Sequence, residues 1–306
     1  MKKLLFILIT FSSFAYSQEK EKKITFLDIN LNPITENEFH VKSNSNLYQA
    51  NYIVNDSIII NKLEYRYEFG ELSATELSQT QYLLKKQFGD LDFKKNIIIS
   101  YIDTLYGYNE LVNNTFVRRM YDFSSNSTLK DYNTRRDQFD KQQKKCSKYA
   151  KKENFIALYT YGVMNNFTYK SKNHKKQKLS KALISKFFKH KKGGFVILKP
   201  DGNFFYYRYL SQDYVTKFLN ESWTKFKNDI ETAKLDLRFN NINFIVEMKE
   251  SQKNKRRKEI ELNRSRNQRP SNKRLDRSQI RHSNHTRVIR GRTIQPKPSC
   301  FTGRNF

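Results

Sequence analysis

Residues 193–209 read GGFVILKPDGNFFYYRY, and the reading of this stretch decides the fold. Phe195–Leu198 is a short apolar run. Pro200-Asp201-Gly202 is a turn with a mechanism: Pro presets φ, Asp bonds the backbone, and Gly accepts φ > 0. Phe204–Tyr209 is an aromatic run with high strand propensity. Together they predict a β-hairpin.

Working outward, the segments before the hairpin alternate. Lys94–Leu105 contains NIIISYIDTL, whose Ile97-Ile98-Ile99 core is apolar on both faces, the pattern of a central strand covered on two sides. Thr134 to Lys152 is a helix with Phe139, Cys146 and Ala150 on one stripe. Asn154–Val163 is a strand, and Leu179–Lys189 a helix with Leu179, Leu183 and Phe187 on one side. After the hairpin, Asp213–Lys234 reads as one helix carrying Val215, Leu219, Trp223, Phe226 and Ile230. Leu235–Met248 is read as a further short strand.

The earlier chain, residues 18–93, reads as a β-rich extension. Strands are expected at Ile24–Leu31, Tyr52–Ile60 and Leu63–Phe69. Thr35-Glu36-Asn37-Glu38 and Ser73-Ala74-Thr75-Glu76 fit capping boxes. The second opens a helix to about Phe88, with Gly89 as its stop.

The two ends differ from the body. Met1-Lys2-Lys3 followed by apolar Leu4–Phe14 and the small residues of Ala15-Tyr16-Ser17 is the pattern of a signal peptide, residues 1–17, cleaved before Gln18. The apolar run is too short to span a bilayer, and no later run is longer. The expectation is an exported protein, periplasmic or secreted, with no transmembrane segment after cleavage. From 249 to 306 the apolar pattern stops. The chain carries +28 overall, and half of that excess lies beyond Glu250. Such a tail is expected to be disordered. It fits either a polyanion-binding arm or a translation product outside selection. In the first case Lys253, Lys255, Arg256, Arg257 and Lys258 are the candidate contacts, and an anionic polymer the partner. An envelope protein is the other class of partner considered.

Little else carries chemistry. Cys146 and Cys300 are the only cysteines, in unlike contexts, and no pairing between them is expected. Cys146 lies beside Lys144, Lys145 and Lys148, so it reads either as a small buried hydrophobe or as a lysine-activated thiolate. His40, His174, His190, His282 and His285 show no metal spacing, and no cofactor fingerprint is present. Asp137 and Asp140 are three apart on a helix, and Asp103 ends a strand. Lys170–Lys192, with Tyr159, Tyr161 and Tyr169 before it, reads as a solvated lysine-rich face or a polyanion-binding one.

From Asn96 the order is strand, helix, strand, helix, strand-turn-strand, helix. That order resembles the thioredoxin-like superfamily, and the Pro-Asp-Gly hairpin resembles the corresponding part of secreted thiol-disulfide oxidoreductases. The resemblance implies a mixed α/β sheet over 94–248, with helices on both faces. It also implies a Cys-x-x-Cys after the first central strand. Here that place reads Asp103-Thr104-Leu105-Tyr106-Gly107-Tyr108. The family's Pro before the hairpin is replaced by Lys192-Gly193-Gly194. The expected function is therefore a non-catalytic thioredoxin-like module for binding or structure, without a cofactor or an assigned catalytic residue. The alternatives are thiol-redox chemistry at Cys146 and polyanion binding through the tail.

Overall fold

The computed structural model describes residues 23–54, 57–120, 123–171, 176–189, 191–235, 241–267 and 300–301. The expected signal peptide, 1–17, lies outside them. The chain divides into two compact units, Met1–Arg66 with Lys234–Asn240, and Tyr67–Ala233 with Asn241–Phe306.

The first unit holds β1 (Lys23–Leu27), α1 (Glu36–Asn44), β2 (Tyr48–Val54) and β3 (Ile58–Tyr65). The sheet order is β1-β3-β2, with β1 parallel and β2 antiparallel to β3. Thr35 caps α1 by accepting from the Glu38 N–H. Phe39 on α1 packs on Phe26 of β1 with centroids 5.2 Å apart. The stretch read as one strand over Tyr52–Ile60 is the end of β2 and the start of β3. The expected strand Leu63–Phe69 is likewise split, because β3 ends at Tyr65 and the next strand belongs to the other unit.

The second unit is an α/β body. It contains β4 (Tyr67–Glu71), α2 (Ala74–Phe88), β5 (Asn96–Tyr106), α3 (Tyr108–Asn113), α4 (Thr115–Met120), α5 (Leu129–Lys152), β6 (Phe155–Asn165), β7 (Gln177–Lys178), α6 (Lys181–Phe187), β8 (Gly193–Leu198), β9 (Asn203–Tyr207), α7 (Gln212–Asn220), α8 (Thr224–Leu235) and α9 (Asn243–Asn267). Its sheet order is β4-β9-β8-β5-β6-β7. β5 and β6 are parallel, and the β8–β9 hairpin is antiparallel. The turn works as its residues require. The Asn203 N–H donates to Asp201 Oδ1 at 2.9 Å, and Gly202 sits at φ 88°.

Ile97, Ile98 and Ile99 of β5 are all buried between neighbouring strands and on both faces. On one face, Ile97, Ile99 and Tyr101 meet Leu84 of α2 and Leu183 and Phe187 of α6. The other face is aromatic. Phe205 of β9 stacks on Phe218 of α7, Phe226 of α8 follows at 4.3 Å from Phe218, and Phe244 of α9 closes on Phe226 at 5.2 Å. A smaller cluster, with Leu105, Leu111, Val117 and Tyr132, covers the end of β5.

Five expectations are corrected here. β4 and α2, assigned to the N-terminal extension, belong to the larger body, because β4 pairs with β9. The helix read over Asp213–Lys234 breaks at Glu221–Trp223, where the Trp223 indole N–H donates to the Phe218 carbonyl at 2.8 Å and turns the chain. α5 begins at Leu129, ahead of the expected Thr134. Its capping box is Thr128 with Asp131, in which Asp does the work of the Glu usually sought. Of the expected strand at 235–248, residues 236–240 lie outside the described set and residues 243–248 are the start of α9, and the tail read as disordered is helical as far as Asn267. Buried Phe244 and Ile245 fix the first turn, and the Lys-, Arg- and Glu-rich sequence then propagates it. Residues 268–299 of the tail lie outside the described set.

Candidate functional site

α5 presents Phe139, Gln142, Gln143 and Cys146 at i, i+3, i+4 and i+7, so all four share one face of the helix. That face lies over the aromatic side of the sheet and leaves a pocket there. Ser100 and Ile102 of β5, Tyr159 and Thr160 of β6, and Phe195 of β8 form its floor. Phe301 and Lys176 complete the lining. The cavity volume is about 30 Å³, room for roughly two water-sized groups.

Phe301 arrives through a covalent link. Cys146 and Cys300 form a disulfide, Cα atoms 5.5 Å apart and 154 residues apart in sequence. This overturns the expectation that they do not pair. Sequence context did not reveal it, because the fold brings the middle of α5 and the distal chain together. Both sulfur-bearing residues are buried. Phe301 stacks on Tyr159 at 5.9 Å and meets Phe155 and Phe195 edge-on at 5.6 and 6.3 Å.

Lys176 supplies the charge. Its ammonium lies 5.1 Å from the centroid of the Phe139 ring. Burial, assisted by the neighbouring Arg136 guanidinium and opposed by the Asp140 carboxylate, pulls its pKa down to about 7. Burial also pushes the Tyr159 phenol well above its usual range. Beside the pocket, Asp140 is buried and accepts a hydrogen bond from Ser171 Oγ. The Tyr169 hydroxyl donates to Asp137 Oδ1 at 2.9 Å. Burial, and then this hydrogen bond, raise the Tyr169 pKa.

The sequence candidates are scattered. Asp103 does not end its strand as expected, because β5 pairs with β6 as far as Tyr106; it is exposed and accepts from the Tyr101 hydroxyl at 3.1 Å. His40 is exposed and lies 3.4 Å from Glu36. His174, His190, His282 and His285 fall outside the described residues. Among the described residues, no group of His, Cys, Asp and Glu is arranged to hold a metal ion. Tyr159, Tyr161 and Tyr169 do not form a stacking row: Tyr159 packs under Phe301, Tyr161 joins the cluster at the end of β5, and Tyr169 holds Asp137. Lys253, Lys255, Arg256, Arg257 and Lys258 are exposed on α9, with Lys255 paired to Asp213.

Residues missed from sequence include Lys176, Gln142, Gln143 and Phe301. The helical spacing of Phe139 and Cys146 pointed to the face that carries the two glutamines. Lys176 gave no signal among so many lysines. No family model matches the chain, and neither a curated protein nor a solved structure matches it. Among the described residues, no helix is long and apolar enough to cross a membrane.

Proposed function

We propose that this is an exported protein with a thioredoxin-like core that serves as a binding or structural module and not as a dithiol enzyme. The strand order β6-β5-β8-β9, parallel at its first pair and antiparallel at the hairpin, supports the core assignment. One observation carries the functional part. The chain's two cysteines are bonded to each other and buried, while the place of the family's redox pair, Asp103–Tyr108, has no sulfur. A disulfide closing 154 residues also suits an oxidising compartment, in keeping with the signal-peptide pattern.

Two assays test the reading. Insulin reduction by the purified protein should show no turnover above the reductant blank. Iodoacetamide at neutral pH should leave Cys146 unlabelled until a reductant is added. Clear turnover would overturn the module reading, and labelling without reductant would restore thiol chemistry at Cys146.

The exposed basic run on α9 favours a second reading, polyanion binding. Replacing Lys253, Arg256, Arg257 and Lys258 by Gln should lower the salt needed to elute the protein from heparin. Unchanged elution would remove α9 from this reading.

A further inference from the structure

We propose that Lys176 is a nucleophilic amine that takes up a one- or two-carbon carbonyl compound in the pocket between α5 and the sheet. The site is built rather than incidental. The Lys176 ammonium lies against the face of Phe139, inside a lining of Ile102, Phe195, Phe301 and the Cys146 side chain. Lys176 is part-buried as a residue, but its amine lies within this lining, where loss of water favours the neutral, nucleophilic form and the Phe139 ring face, like Asp140, favours the ammonium. The charged groups acting on it are known: Arg136 from α5 disfavours the ammonium, Asp140 from the same helix favours it, and burial outweighs both. The cavity volume of about 30 Å³ sets the size limit. Formaldehyde or glycolaldehyde fits that limit, and a sugar does not.

The chemistry needs no oxidant. Neutral Nζ attacks the carbonyl carbon, a C–N bond forms, and the carbonyl π pair moves to oxygen. Nζ passes one proton to the oxygen, which takes a second from solvent through the Tyr159 hydroxyl; the C–O bond breaks, water leaves, and the nitrogen lone pair closes a protonated C=N bond. The lining carries the hydroxyls of Ser100 and Tyr159 for the carbonyl oxygen, whereas the Thr160 hydroxyl donates to the Ser100 carbonyl at 2.9 Å. Burial keeps the Tyr159 phenol protonated, as a proton donor requires.

The experiment uses the full chain with its disulfide intact. Limiting glycolaldehyde and cyanoborohydride at pH 7 convert imines to stable hydroxyethyl-lysines, which peptide mapping then counts. An exposed lysine is neutral in roughly one molecule in 2,500 at pH 7, given a pKa near 10.4. Lys176 should therefore be modified about 100-fold faster than exposed Lys253, after allowing for its lower intrinsic nucleophilicity. Its rate should level off above pH 7, whereas a free amine of ordinary pKa reacts about tenfold faster per pH unit towards pH 10. Both the preference and the plateau should vanish in 6 M guanidinium. Modification of Lys176 within tenfold of Lys253 would overturn the proposal. So would a rate still climbing at pH 9, or a preference that survives denaturation. Tyr159→Phe should slow the reaction at Lys176 at least threefold without changing that at Lys253; an unchanged rate would overturn the proton-donor assignment.

Discussion

The ring of Phe205 lies flat on the ring of Phe218, with centroids 4.2 Å apart and planes 8° from parallel. This contact ties the second strand of the hairpin to α7, and both rings are fully buried. Phe218→Ala should cost about 3–5 kcal/mol in urea unfolding, because the cavity sits among rings that cannot collapse into it. Phe218→Leu, which keeps most of the volume, should cost less than half as much. Equal losses would mean that flat ring stacking matters more than filled space.

The Cys146–Cys300 bond should stabilise mainly by restricting the unfolded chain. With the cysteines 154 positions apart in sequence, the chain-entropy relation gives at most about 5 kcal/mol. Cys300→Ser should lower the urea midpoint of the natural protein, and added dithiothreitol should then have no further effect. If dithiothreitol destabilises the variant as much as the natural chain, the bond is not what the reductant acts on.

Gly107 stands where the backbone has no room for a side chain. A Cβ there would lie 1.8 Å from the carbonyl oxygen of Asn166, while the Gly107 N–H donates to the Asn165 carbonyl at 2.8 Å. Its φ of −75° is ordinary, so the obstacle is contact and not backbone conformation. Gly107→Ala should cost about 1–3 kcal/mol. A thermal midpoint unchanged within 1 °C would contradict this.

Lys176 makes stability depend on pH in a definite direction. Its ammonium pKa falls from 10.5 in the free side chain to about 7 in the folded protein. Between those values the unfolded chain binds the extra proton, so this residue's share of stability rises with pH. Below pH 7 its penalty on folding is complete, and above about 10.5 it is gone. Lys176→Met should therefore raise the melting temperature at pH 6, by about 2–4 °C for each kcal/mol relieved. The gain should shrink steadily as the pH approaches 10. A gain that grew with pH would reverse the assignment.

Much of the fold could be read from local chemistry. The Pro-Asp-Gly turn, the apolar Ile97–Ile99 run and the Ser73 capping box each dictate one backbone outcome, and each is present. The failures share a cause. Val215 to Ile230 keeps helical spacing across the break at Glu221–Trp223, so periodicity did not register the break that the Trp223 indole makes. The start of α9 alternates like a strand, and tertiary burial of Phe244 and Ile245 decides otherwise. The pocket was half legible: the stripe through Phe139 and Cys146 marked the right helix face, but Phe301 and Lys176 reach it only through the folded chain.

The covalent bridge between α5 and Cys300 also bears on how the protein would fare among proteases. A single cut anywhere from 147 to 299, including the long basic stretch after α9, would leave two fragments held together by sulfur. Such a nicked molecule would run as one band on a non-reducing gel and as two once a thiol is added. The aromatic face around Phe301 would keep its cover after backbone cleavage, so that loss of the tail would require two scissions or one scission and a reductant.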